Sequence, residues 1–173
     1  MKRLWVIFFG LILSGFVQVA YPLEIVIKPG AGFYGDSIGI NGGIAVRGQL
    51  KNILRIENPH FFSGISYNFS YVGVDDISLL NNLFSVDFGY DFVMNRISVA
   101  PVFGIGYVYG NIRDTQDRVS EKLGFALIPS LETKFALSES FKTGVSVGLP
   151  ILFSYETTIR YVELDVFVSF TFK

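Results

Sequence analysis

The chain has 173 residues, half of them hydrophobic, and includes 18 Phe, 9 Tyr and 18 Gly. That is one domain's worth of chain, and the aromatic and glycine bias suits a barrel. A formal charge of −1 gives no basis for nucleic-acid binding, and the absence of cysteine excludes disulfides and thiolate metal sites.

The N-terminus reads as an export signal. Lys2 and Arg3 form a basic start, residues 4–13 are apolar apart from Gly10, and Ser14, Gly15 and Ala20 supply small residues. This pattern predicts a signal peptide over residues 1–20 and a mature domain over 21–173, although Gln18 occupies the position where a small −3 residue is preferred. The competing reading is an uncleaved anchor, because residues 4–23 contain no charge and are long enough to span a bilayer.

From Leu23 onward a period of two recurs, which is the signature of strands with one apolar and one polar face. The first predicted strand sets Leu23, Ile25, Ile27 and Phe33 against Glu24, Lys28, Gly30 and Gly32, and a loop follows at 35–41. The second sets Ile44, Val46, Leu50, Leu54 and Ile56 against Ala45, Arg47, Gln49, Lys51 and Arg55, ending in a turn at 57–59. The third sets Ile65, Tyr67, Phe69 and Tyr71 against Gly64, Ser66, Asn68 and Ser70, and a loop is predicted over 74–82.

The fourth strand has the sharpest pattern: Phe84, Val86, Phe88, Tyr90, Phe92 and Met94 alternate with Ser85, Asp87, Gly89 and Asp91, and only Val93 breaks it. Asn95-Arg96 turns into the fifth strand, where Ile97 to Tyr109 alternate with Ser98, Ala100 and glycines. A charged loop is expected over 111–122. The sixth strand has Leu123, Phe125, Leu127, Leu131 and Phe135 against Glu132 and Lys134, with a turn at 138–140. The seventh has Val145 to Phe153 against Lys142, Gly144 and Ser146, then a loop over 156–160. The eighth alternates Val162, Leu164, Val166, Val168, Phe170 and Phe172 with Glu163, Asp165, Phe167, Ser169 and Thr171.

The charges decide which face is inside. Glu24, Lys28, Arg47, Lys51, Arg55, Asp87, Asp91, Glu132, Lys134, Lys142, Glu163 and Asp165 all share the face with the small residues, and the opposite face carries none. Eight strands enclose too little space for so many Phe, Tyr, Leu and Ile, whereas Gly, Ala and Ser fit a narrow lumen. Apolar-out and polar-in therefore fits best, and the inward charges must pair to plug the barrel. Aromatics gather near the strand ends in two groups, Phe33, Tyr71, Phe84, Tyr107, Tyr109, Phe125, Phe153, Tyr155 and Tyr161 against Phe61, Phe92, Phe135, Phe141, Phe170 and Phe172. Two such girdles, with alternating short and long connections, are expected of a barrel that spans a membrane.

With this pattern the chain from Leu23 to Lys173 resembles the small eight-stranded outer-membrane barrels of the OmpA transmembrane-domain and OmpX type. The resemblance implies an all-β, antiparallel, up-and-down transmembrane barrel, a monomer in the outer membrane of a diderm bacterium, among its lipid and lipopolysaccharide. It also implies that the alternating residues Val162, Leu164, Val166, Val168, Phe170 and Phe172 are a signal for the outer-membrane assembly machinery, here followed by one further residue, Lys173. It does not imply one function.

Motifs for chemistry are weak. Gly30-x-Gly32-x-x-Gly35 has the spacing of a dinucleotide fingerprint but lacks the following helix that a phosphate needs. His60 is the single histidine, with Ser63 as its nearest hydroxyl and no acid to complete a triad. Asp75-Asp76 and Asp114, Asp117 and Glu121 read as solvated charge. Arg113, Arg118, Lys122 and Arg160 are candidates for lipopolysaccharide phosphates. The expectation is a protein without catalytic, metal or cofactor site, serving envelope integrity or surface interaction. A narrow pore, a lipid-processing barrel enzyme and a soluble lipocalin-like binder are the alternatives.

Overall fold

The computed structural model describes residues 22–49, 60–74, 77–113, 119–154 and 158–172. They form eleven antiparallel segments: β1 (Leu23–Tyr34), β2 (Ser37–Gln49), β3 (Phe61–Val74), β4 (Ile77–Tyr90), β5 (Phe92–Met94), β6 (Ile97–Arg113), β7 (Val119–Ala136), β8 (Phe141–Gly148), β9 (Ile151–Ser154), β10 (Thr158–Arg160) and β11 (Val162–Phe172). Three pairs are single strands broken by one or two residues, namely β4 with β5, β8 with β9, and β10 with β11. The result is eight staves.

The sheet closes on itself. β1 pairs with β2 from Leu23 opposite Gly48 to Tyr34 opposite Ser37, and with β11 from Leu23 opposite Phe172 to Phe33 opposite Val162. Closure gives every stave two neighbours, so no long edge remains unpaired. The breaks keep their hydrogen bonds. Pro150, which has no N–H to give, interrupts the seventh stave, yet Leu149 donates to Pro129 O (2.9 Å) and Tyr161 donates to Pro150 O (3.3 Å). At the other break Asp91 donates to His60 O (3.0 Å).

The expected turns at 95–96 and 138–140 are present, with Asn95 in the left-handed region (φ 56°) and Ser138 Oγ accepting from the N–H of Ser140 and Phe141. The connections at the opposite end are shorter than expected. The loop over 35–41 reduces to Gly35-Asp36, with Gly35 at φ 60°, and Ser37 already pairs with Tyr34. The loop over 74–82 is mostly strand, because β3 and β4 pair up to Val74 opposite Ile77. Strand also replaces most of 111–122, since β6 and β7 pair up to Arg113 opposite Val119. Likewise Thr158–Arg160 is strand, paired with β9.

The two faces divide as the alternation demands. Outward residues such as Ile40, Phe88, Phe103, Leu131 and Val166 are exposed, while their inward neighbours are buried. A soluble fold would put these apolar groups inside; here the exterior is the apolar surface. Across five staves Tyr67, Phe84, Tyr107, Phe125 and Phe153 stand opposite one another in one row of the sheet. Phe61, Tyr90 and Phe92 meet edge to face near the other end, where the Phe141 and Phe170 rings lie tilted 5.0 Å apart.

Candidate functional site: the lumen

The lumen is built in layers. At the Tyr34 end Leu83, Val108, Ala126, Leu152 and Tyr161 form an apolar cluster, with Tyr34, Ile128 and Ile159 packed against it. Tyr34 and Tyr161 stack there at 4.2 Å and 16°. Tyr161 therefore lies in the lumen, 5% exposed, and not in the outer aromatic girdle expected from the sequence. Its phase agrees with β11, in which Glu163, Asp165 and Phe167 are buried while Val162, Leu164 and Val166 are exposed.

Below this cluster lies the charged layer. Glu132 on β7 is fully buried and receives two parallel hydrogen bonds of 2.7 Å from Arg47 on β2. Lys28 on β1 binds the same carboxylate at 2.5 Å. Lys134, two residues along β7, binds Asp91 at 2.9 Å and reaches Glu24 and Glu132 at 3.9 Å, and Lys142 completes the chain to Glu24 at 3.6 Å. Seven of the twelve expected charges thus join one network spanning five staves. The Phe62 ring lies beside both Arg47 and Lys134, 5.1 and 4.7 Å from its centroid.

The remaining described charges face a different cavity. Asp87 accepts from Ser85 Oγ (2.8 Å), and Asp165 accepts from Asn41 Nδ2 (2.7 Å) and Ser146 Oγ (3.2 Å). Asp87, Glu163 and Asp165 line a cavity of about 30 Å³ together with Lys28, Arg47 and several serines. A second cavity, of about 50 Å³, opens on the other side of Arg47 among Glu24, His60, Asp91, Lys142 and Thr171. Arg47 borders both, so the Arg47–Glu132 layer separates them. Lys51 and Arg55 lie outside the described residues.

The other expected residues are spread over the fold. Val162, Leu164, Val166, Val168, Phe170 and Phe172 share the outer face of β11. Arg113 and Lys122 stand in paired strand, opposite Val119 and Gly110, while Arg160 is exposed on β10 and Arg118 lies outside the described residues. His60 precedes β3 with its ring 5.9 Å from that of Tyr90. Among the described residues no group of three or more His, Asp or Glu is placed to hold a metal ion.

Sequence reasoning missed the inward apolar side chains Phe62, Leu83, Val102 and Leu152. It also missed the role of Asn41, Ser85 and Ser169 as donors to the acids. The first group was discoverable, because each occupies the polar phase of its strand.

The closed ladder, the apolar exterior and the charged interior define an eight-stranded barrel of the outer-membrane type. Solved structures bear out that fold. Neisserial surface protein A matches with a TM-score of 0.69 at 10% identity, over 87% of this chain and 96% of that one. A major outer-membrane protein from Thermus thermophilus matches with a TM-score of 0.62 at 16% identity, over 87% and 99%. The outer-membrane enzyme PagL matches with a TM-score of 0.60 at 15% identity, over 85% and 98%. No family model and no curated protein matches the sequence.

Proposed function

We propose that this chain is an integral, non-enzymatic protein of a bacterial outer membrane, closed to solutes, which serves the envelope through its surface-exposed strand ends. The observation that carries this reading is the pairing of an apolar exterior with a lumen filled twice over, by the Glu132 network and by the Leu83–Tyr161 cluster. A bilayer is the environment that matches such an exterior, and a closed barrel is one of two structures that satisfy the backbone there. Eight strands leave room for side chains but not for an aqueous channel.

The neighbours include both an enzyme and surface proteins, so the fold leaves activity open. Two features favour the non-enzymatic reading. The single histidine stands just before β3 against Tyr90, and Ser63, the hydroxyl nearest to it in sequence, is 1% exposed. A nucleophile must reach its substrate, which this hydroxyl does not.

Envelope fractionation followed by gel electrophoresis with and without boiling tests the proposal. The expected result is recovery with the outer membrane and a faster-migrating unboiled form, because the closed ladder resists detergent until heated. Recovery in the soluble fraction overturns it.

A further inference from the structure

The outer face of the barrel is not the same all round. Toward the end where β3 meets β4 at Val74 and β6 meets β7 at Arg113, three neighbouring staves carry outward hydrogen-bonding side chains. These are Tyr67 and Tyr71 on β3, Asn82 on β4, and Tyr107, Tyr109 and Asn111 on β6. Near that end the other staves present Phe33, Ile38, Ile40, Phe125, Phe153 and Val162, and polar side chains return at Thr158 and Arg160 on β10. An aromatic girdle as such has no preferred side, so this one-sided gathering of phenols and amides is a separate feature.

Register centres the patch on Asn82. It stands opposite Phe69 on β3 and Tyr109 on β6, with Tyr67 and Tyr71 on the diagonals of one side and Tyr107 and Asn111 on those of the other. Diagonal neighbours are about 7–8 Å apart, within reach of long side chains. Asn82 Oδ1 accepts from Tyr67 OH (2.7 Å), which leaves its two amide N–H groups as donors without an acceptor among the described residues. The hydroxyls of Tyr71 and Tyr107 are likewise unmatched among the described residues, on side chains 46% and 51% exposed. Asn111 Oδ1 is buried without a donor. Polar groups that face lipid are costly unless something matches them. None of the six is charged, so what matches them is a neutral group rich in hydroxyls and amides.

We propose that Tyr71, Asn82 and Tyr107 bind the sugar headgroup of an outer-leaflet glycolipid. Sugar oxygens accept from the amide and the two phenols, and a sugar ring lies well against a phenol face. The acyl chains of the same molecule continue down the wall below, where Phe69, Phe84 and Ile105 are exposed. A site built for phosphate calls for cations instead. The inference rests on the outer-membrane reading above and names a lipid for one side of that barrel.

The test uses the full barrel refolded in detergent, mixed with equal amounts of lipid A, dephosphorylated lipid A and phosphatidylglycerol, and read by native mass spectrometry. Both forms of lipid A are expected to stay bound in preference to phosphatidylglycerol. Asn82→Ala combined with Tyr107→Phe lowers that preference by about 2–12-fold for each hydrogen bond removed, while Ile40→Val, on the apolar side, keeps it. Where the double variant does not fold, Tyr71→Phe, which removes one hydroxyl, takes its place. Equal retention of the three lipids overturns the site, and so does a preference that the variants leave unchanged. Loss of the dephosphorylated form alone overturns it too, because phosphate is then the group recognised. A barrel dimer that the double variant abolishes does the same, because the patch then faces a second copy. A protein that fractionates with the outer membrane but shows no lipid preference fails this inference alone, whereas recovery in the soluble fraction removes the reading beneath it.

Discussion

Arg47 and Glu132 face each other across the lumen from β2 and β7, joined by two parallel hydrogen bonds of 2.7 Å with neither side chain more than 1% exposed. Glu132 also takes Lys28, so removing one carboxylate strands two cations. Breaking a buried pair from one side costs about 3–5 kcal/mol, far more than an exposed charge is worth. Glu132→Ala is therefore expected to lower stability by at least that amount in urea titrations of the refolded barrel. Asp36→Asn, in an exposed turn, is expected to change it by less than about 0.5 kcal/mol. Equal effects would show that the Glu132 network is not what holds the lumen together.

Glycine positions separate by what stands beside them. A Cβ on Gly106 would run into the Phe84 carbonyl oxygen, which is backbone and cannot move aside, whereas one on Gly148 meets nothing nearer than 3.6 Å. Gly106→Ala is expected to reduce the yield of folded, heat-shifting barrel, and Gly148→Ala to leave it unchanged. Both residues face the lumen, so a loss of inward volume alone would affect them alike. Similar yields for the two would remove the steric argument.

Much of this architecture was legible because burial on one face forces a period of two. Phe84 to Met94 announce their strand, and the charges of β1, β2, β7 and β11 mark the inside of the barrel by their phase alone. Polar residues inside strands were what hid the rest. Asn81 and Asn82 read as loop, yet Asn81 points inward to Ser70 Oγ (3.4 Å) and Asn82 accepts from Tyr67 OH on the outer face (2.7 Å). Gly39, Gly42 and Gly43 similarly obscured the start of β2, where Ile38 and Ile40 still alternate. Pairing in the lumen was harder to foresee. An even count of acids and bases suggested full neutralisation, but partners are set by register across the barrel, and register placed Lys28, Arg47 and Lys134 within ion-pair reach of Glu132 and, among the described residues, none within that reach of Glu163.

The lumen is sealed at two levels, and the levels differ in kind. Removing the Glu132 carboxylate loosens the charged layer but leaves Leu83, Val108, Leu152 and the Tyr34–Tyr161 stack in place above it. An apolar constriction excludes ions without any charge of its own. Planar-bilayer recordings are expected to show no steady conductance for the wild type, and none for folded Glu132→Ala. A stable open channel in the wild type would overturn the closed-barrel reading, while one in the variant alone would make the charged layer the only seal.

Topology gives the last prediction. On the proposed outer-membrane insertion, with the N-terminal end of β1 in the periplasm, β1 runs outward, and successive staves alternate in direction. The Gly35-Asp36 turn and the connection across 114–118 then face the exterior, while Asn95-Arg96 and the turn at 138–140 face the periplasm. Strand lengths agree: β6 and β7 run 17 and 18 residues, well beyond the roughly 9–11 that cross a bilayer, and their surplus lies toward 113–119. That surplus carries Arg113, Glu121 and Lys122, for which water is a far better environment than lipid. An epitope inserted at Thr115 is expected to bind antibody on intact cells, and one inserted at Asn95 only after the outer membrane is permeabilised. Detection of the Asn95 epitope alone on intact cells would invert the barrel, moving the apolar Tyr34–Tyr161 seal to the periplasmic side.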